Sequence, residues 1–166
     1  MPGSLDLVVE FPASVEQIHS AFSDENYWRA RLASFGGSTT LTSLIVQADG
    51  TVFVATRQDL RRHTQPKMIA KVFPRDLLIL RKETWRPIGD RRVSGEVIVS
   101  APGALGSGRA DAVLAPTQDG SRLRFIATIE VKVPLIGGRI ENYIGGQLAE
   151  QIHAMQRFTT AWITQK

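Results

Sequence analysis

Apolar and polar residues alternate one by one near the start of the chain, where Leu5, Leu7, Val9 and Phe11 interleave with Asp6 and Glu10. A period of two predicts a strand with one buried face, which Pro12 ends. The period then lengthens. Ser14 is placed to cap a helix, with Gln17 three residues on as its capping-box partner, and Val15, Ile18 and Phe22 follow helical spacing. A second short helix is predicted over Glu25–Phe35, with Tyr27, Trp28, Leu32 and Phe35 as its apolar positions and Gly36-Gly37 as its stop.

Strand-like sequence returns at Thr39–Gln47 and Thr51–Leu60, joined by Asp49-Gly50, a pair that tolerates the positive φ of a tight hairpin. Over Thr64–Phe73, the residues Met68, Ile69, Val72 and Phe73 suggest a short helix face closing one end of the sheet, stopped by Pro74. Three more strands are predicted at Leu77–Arg86, Arg91–Ser100 and Ser107–Ala115, separated by turns rich in Pro, Gly and Asp. Alternation is strictest in the last strand: Leu123, Phe125, Ala127, Ile129, Val131 and Val133 fall on one face, and Ile126 alone interrupts the polar face. After Pro134-Leu135-Ile136-Gly137-Gly138 the period becomes helical. Ile140, Ile144, Leu148, Ile152, Met155, Thr159 and Trp162 form one stripe of a helix over Gly138–Ile163, roughly 40 Å long at about 1.5 Å per residue. A run of strands bracketed by helices predicts an α+β fold: a curved antiparallel sheet of about seven strands wrapped around a long C-terminal helix, with two short helices after the first strand. The 166 residues are expected to form one domain.

Three stretches carry a family resemblance: Ser100-Ala101-Pro102-Gly103-Ala104-Leu105-Gly106-Ser107-Gly108, then Gly120-Ser121-Arg122-Leu123, then Val131 through Glu141 with its Pro-Leu-Ile-Gly-Gly-x-Ile-Glu run. Glu83-Thr84-Trp85 also fits. With the order of elements, they resemble an uncharacterised bacterial family within the START-like, helix-grip (SRPBCC) superfamily of lipid-transfer and polyketide-cyclase-like proteins. The resemblance implies a cavity between sheet and long helix and brings no catalytic residues. Within the run, Pro134 cannot donate to a ladder, Gly137 and Gly138 are expected to make the reversal, and Glu141 is expected to sit in the first helical turn, facing the positive end of the helix dipole.

Composition narrows the chemistry. The absence of cysteine excludes disulfides, thiolate metal sites and cysteine nucleophiles. No basic and apolar leader opens the chain and no apolar run is long enough to span a bilayer, so a cytoplasmic location is expected. The net charge of +4 is uneven: from Arg57 to Arg92 there are 11 Lys/Arg against 4 Asp/Glu. That excess is compatible with transient contact with a membrane surface, but solvated strand faces account for it as well, and without a nucleic-acid motif or interleaved aromatics no nucleic acid is expected. His19, His63 and His153 lack metal-ligand spacing, so neither metal nor cofactor is expected. Gly103, Gly106 and Gly108 precede a strand and no Gly-Lys-Ser/Thr, so they read as a turn and not a phosphate cradle. Gly145-Gly146 inside the long helix disfavours it by roughly 1–2 kcal/mol, which close packing on the sheet, a kink or room for a ligand would offset.

The leading functional expectation is binding or transport of a small hydrophobic or amphipathic ligand such as a lipid, acyl chain or polyketide-like ring. A dry void of roughly 300 Å³ would cost about 7 kcal/mol, a large part of the roughly 5–15 kcal/mol by which a domain is stable. Candidate lining residues are Trp85, Phe125, Ile129, Tyr143, Gln147, Gln151 and Met155, although core packing explains Trp85 and Tyr143 equally well. Two alternatives stand beside it: a protein-interaction module with a collapsed cavity, and a cyclase- or hydrolase-type enzyme with an acid/base pair drawn from Glu96, Asp111 and His153. Alternation leaves open whether Arg109 and Asp111, or Ala110, Ala112 and Leu114, point inward, with the small even residues slightly favouring the second.

Overall fold

A computed structural model of the chain describes residues 3–36, 38–60, 67, 77–101 and 106–165. The elements run β1 (Gly3–Phe11), α1 (Val15–Phe22), α2 (Glu25–Ser34), β2 (Thr39–Val46), β3 (Val52–Leu60), β4 (Leu77–Pro87), β5 (Val93–Ser100), β6 (Gly106–Thr117), β7 (Gly120–Val131) and α3 (Gly137–Thr164). The seven strands form one antiparallel sheet in the order β1-β7-β6-β5-β4-β3-β2. The curved sheet wraps the long helix α3, which packs chiefly on β1 and β7 and also meets α1. The short helix predicted over Thr64–Phe73 lies outside the described residues.

Local chemistry explains the element ends. Ser14 accepts from the Gln17 backbone N–H at 3.1 Å while the Gln17 side chain accepts from the Ser14 N–H at 2.9 Å, the reciprocal capping box of α1. At the β2–β3 hairpin Gly50 takes φ +90°, and His19 of α1 contacts the Gly50 carbonyl oxygen through Nε2 at 2.6 Å, tying helix to turn.

One face of the sheet is apolar and one is charged. Val9, Phe11, Val52, Val54, Trp85, Val93, Val97, Leu114, Leu123 and Phe125 are buried on the concave side with Ile18, Phe22, Tyr27 and Trp28 of the short helices and Ile152 and Met155 of α3. A smaller cluster, Val131 and Ile140 with Leu77, Val133, Ile136 and Ile144, sits where β7 hands over to α3. On β6 the even residues Ala110, Ala112 and Leu114 are buried, while Arg109 and Asp111 are exposed and ion-paired on the outer face. The register forces this phase, because Ala112 pairs with Phe125 and Ala110 with Ala127.

The turn into α3 differs from expectation in two respects. The residue that adopts positive φ is Leu135, at +72°. Gly137 is required instead for close approach, since a Cβ there would stand 2.6 Å from the Val131 carbonyl oxygen. Glu141 does not serve the helix dipole, because α3 begins at Gly137 and has no acidic residue in its first turn. Its buried carboxylate accepts the Val131 backbone N–H at 2.8 Å, satisfying the donor at the end of β7.

Candidate functional site

The concave face of β4 carries the least ordinary chemistry in the interior. Leu77, Ile79, Arg81, Glu83 and Trp85 point inward, and their exposure falls along the strand: Leu77 and Ile79 are half-buried, the Arg81 side chain is 23% exposed and Glu83 is 3% exposed. Trp85 fixes this phase. Its indole lies across Gly95 of β5, where any Cβ would overlap the ring, and packs beside Phe22 at 5.0 Å between centroids with the rings tilted by 57°.

Glu83 is a carboxylate inside an apolar shell, and both of its oxygens are occupied. Oε1 accepts from Trp85 Nε1 at 3.0 Å, and Oε2 accepts from Arg81 Nε at 2.9 Å. Burial alone would push its pKa up. The charges of Arg81 and Arg31, with the two hydrogen bonds, outweigh burial and hold it below its ordinary value. Glu83 is therefore an ion-pair anchor at neutral pH and a poor proton donor.

Helix α2 supplies the opposite wall. Tyr27, Trp28 and Arg31 face inward from its single buried side. The Tyr27 hydroxyl and the Thr159 hydroxyl of α3 lie 2.6 Å apart, linking the two helices. Burial pushes the Tyr27 phenol up, against the nearby Arg31 charge, so it stays neutral. The Arg31 guanidinium lies over the Trp28 ring, 4.6 Å from its centroid. Arg31 is only 8% exposed, and its Nη1 is buried without a hydrogen-bond partner among the described residues.

Of the residues singled out from the sequence, Trp85, Phe125, Ile129 and Met155 are buried in the interior. Tyr143, Gln147 and Gln151 are exposed. One residue step, about 100° of rotation, separates these three from the stripe Ile144, Leu148 and Ile152. Glu96 and Asp111 lie on the outer face around Arg109, and His153 is exposed, so the structure brings no two of these acid/base candidates together inside. His63 lies outside the described residues, and among those described no cluster of His, Asp and Glu could hold a metal. No described helix is long and apolar enough to cross a membrane.

Sequence reasoning missed Arg31, Arg81 and Glu83. The signal for the last two was present: they stand four and two residues before Trp85, in phase with a side chain too large to leave exposed. Their charge in a basic segment made a solvated face the natural reading. Arg31 gave no signal, since α2 has little amphipathic pattern and three of its ten residues decide its buried side.

Comparison with known proteins follows the same architecture. Residues 6–163 match the family described as "Protein of unknown function (DUF2505)". An uncharacterised protein of Mycobacterium tuberculosis is 39% identical over 174 residues, an alignment covering 99% of this chain and 98% of that protein. Among solved structures, a START superfamily protein from Mycobacterium smegmatis aligns over 98% of this chain and 97% of its own, at a TM-score of 0.55 and 15% identity. Norcoclaurine synthase from Thalictrum flavum aligns over 100% and 88%, at a TM-score of 0.53 and 18% identity. The shared feature is the START-like, helix-grip fold.

Proposed function

We propose, from the premise that the chain belongs to the family described as "Protein of unknown function (DUF2505)", that it binds a small hydrophobic or amphipathic molecule between the concave face of the sheet and α3. The 166 residues act as one domain in this reading, with Trp85, Phe125, Ile129 and Met155 as walls and Tyr143, Gln147 and Gln151 at the rim.

One observation carries the proposal. Apolar side chains that face the helix are left half-buried: Leu77 and Ile79 on β4, Val99 on β5, and Ile144 and Leu148 on α3. Protein interiors normally close on such groups to crystal-like density, and each Å² left in contact with water forgoes about 25 cal/mol. Apolar surface retained on the inner side of a fold wrapped around a helix suits a guest that covers it.

The outer sheet face gives less support to a protein-interaction role. Apart from Ile45 and Phe53, which are neighbours across β2 and β3, its apolar residues stand apart among charges: Val8 lies between Asp6 and Glu10 and opposite Arg124, and Ile126 lies opposite Asp6 and Asp111. Such isolated side chains are ordinary on a solvated face.

Native mass spectrometry of the purified chain, followed by solvent extraction, tests the reading. The expected result is a mass excess lost on denaturation, with an amphiphile in the extract. A clean unliganded mass, together with no fluorescence enhancement from the neutral apolar probe N-phenyl-1-naphthylamine, overturns it.

A further inference from the structure

The geometry points to an anion subsite at Arg31, in which the buried guanidinium receives the negatively charged, oxygen-bearing head of an amphipathic ligand whose apolar body lies along Ile79, Leu77 and Val99. The inference rests on the ligand-binding reading and specifies the chemistry of the ligand.

Three features of the interior lead to it. First, charge is unbalanced: among the described residues the cluster contains two guanidiniums, Arg31 and Arg81, and one carboxylate, Glu83. Glu83 has given one oxygen to Arg81 and the other to Trp85, and no ion pair within 4.0 Å joins it to Arg31. Second, a guanidinium has five N–H donors and no acceptor, and buried donors without partners are rare in native proteins. Arg31 Nη1 is such a donor, on a side chain more than nine-tenths buried. The Trp28 ring beneath the guanidinium favours its charge but offers no lone pair in its plane. Third, the cluster is closed at Arg31 Nη1 itself but open at its Arg81 end. The Arg81 side chain keeps 23% exposure, and beyond it on the same face come Ile79 and then Leu77, both half-buried.

A monoanion closes all three accounts. A carboxylate or phosphate head can take the planar N–H fork of an arginine in two parallel bonds. One negative charge neutralises the surplus positive one, and an alkyl or ring body then covers the apolar line beyond. A neutral ligand would leave both the orphaned donor and the net charge in place.

Calorimetric titration of the full chain with decanoate and with its neutral counterpart 1-decanol tests the subsite, on wild type, Arg31→Met and Arg31→Lys. Wild type is expected to bind decanoate about tenfold tighter than decanol or better, a ratio equivalent to about 1.4 kcal/mol. Arg31→Met should bring that ratio to about one while leaving decanol affinity in place, and Arg31→Lys, which keeps charge but loses the fork, should retain part of it. If Arg31→Met does not fold, Arg31→Lys carries the comparison. Decyl phosphate separates the two head chemistries: tighter binding than decanoate assigns a phosphate head, weaker binding a carboxylate, and either keeps the subsite. Equal affinity of wild type for decanoate and decanol, or an unchanged preference in both variants, overturns the subsite while ligand binding stands. No binding of any probe overturns both.

Discussion

Leu135 combines two features that seldom coincide, a φ of +72° and a side chain fully exposed to solvent. An L-residue in the left-handed region is disfavoured by roughly 1–2 kcal/mol through its Cβ, and Leu135 buries nothing in return. Leu135→Gly is therefore expected to stabilise the protein by about 1 kcal/mol, read as a shift in urea midpoint at unchanged slope. A destabilisation would show that the Leu135 side chain has a contact in solution that offsets its backbone strain. The junction also marks how far sequence reaches at this scale. Pro134 through Gly138 announced a reversal, and glycine was the natural candidate for positive φ. Which residue takes it depends on where α3 meets the sheet, and Gly137 is needed there because it nearly touches the Val131 carbonyl. Glu141 follows the same rule, since its role depends on the donor at the end of β7 and not on its own helix.

At the scale of elements, period and punctuation carried most of the fold. Strict alternation in β7, the capping box of α1 and the Asp49-Gly50 turn are local signals, and the structure realises each. Where local signals were balanced, pairing decided. On β6 the small even residues favour one phase only slightly over that of Arg109, Asp111 and Val113, and the pairing of Ala112 with Phe125 decides it. The run Leu77-Leu78-Ile79-Leu80 has no alternation to mark the phase of β4, so the interior place of Arg81 and Glu83 is not legible from it. The glycine pair in α3 is a different case. A Cβ at Gly145 would make ordinary contact with Ile129 at 3.9 Å, and one at Gly146 would meet nothing within 4 Å, so close packing on the sheet requires neither glycine. Both Gly145→Ala and Gly146→Ala are expected to raise stability, by about 0.5–1 kcal/mol each. Thermal unfolding of each single variant checks this, and a fall in midpoint at either position would mean that the helix departs from its straight path there to do its work.

Across the whole molecule, the burial of charge sets stability and proposed function against one another. The outer face is laced with ion pairs such as Glu10–Arg122 and Glu96–Arg109, all well exposed, and exposed pairs contribute little. Glu83 is different because it is buried and its folded-state pKa lies below the ordinary value of 4.5. A depressed carboxylate contributes its stability in full above the unfolded value, and loses it as pH falls below 4.5 and through the folded value, because the unfolded chain takes up the proton first. Glu83→Gln should then destabilise the protein by about 2 kcal/mol at neutral pH, since the partly exposed Arg81 loses its counter-charge and the hydrogen bond that Glu83 accepts from it. The gap from wild type should narrow as urea titrations are carried below pH 4.5; a gap independent of pH would mean that Glu83 is not ionised in the folded state. The same substitution removes the one negative charge that competes with a ligand head for Arg31 and Arg81. Decanoate affinity should therefore rise severalfold in Glu83→Gln even as the fold weakens, while decanol affinity stays level. Stability and anion affinity moving in opposite directions after one neutralised carboxylate is the behaviour of a cluster of described residues left one negative charge short, and a merely structural ion pair would move stability alone.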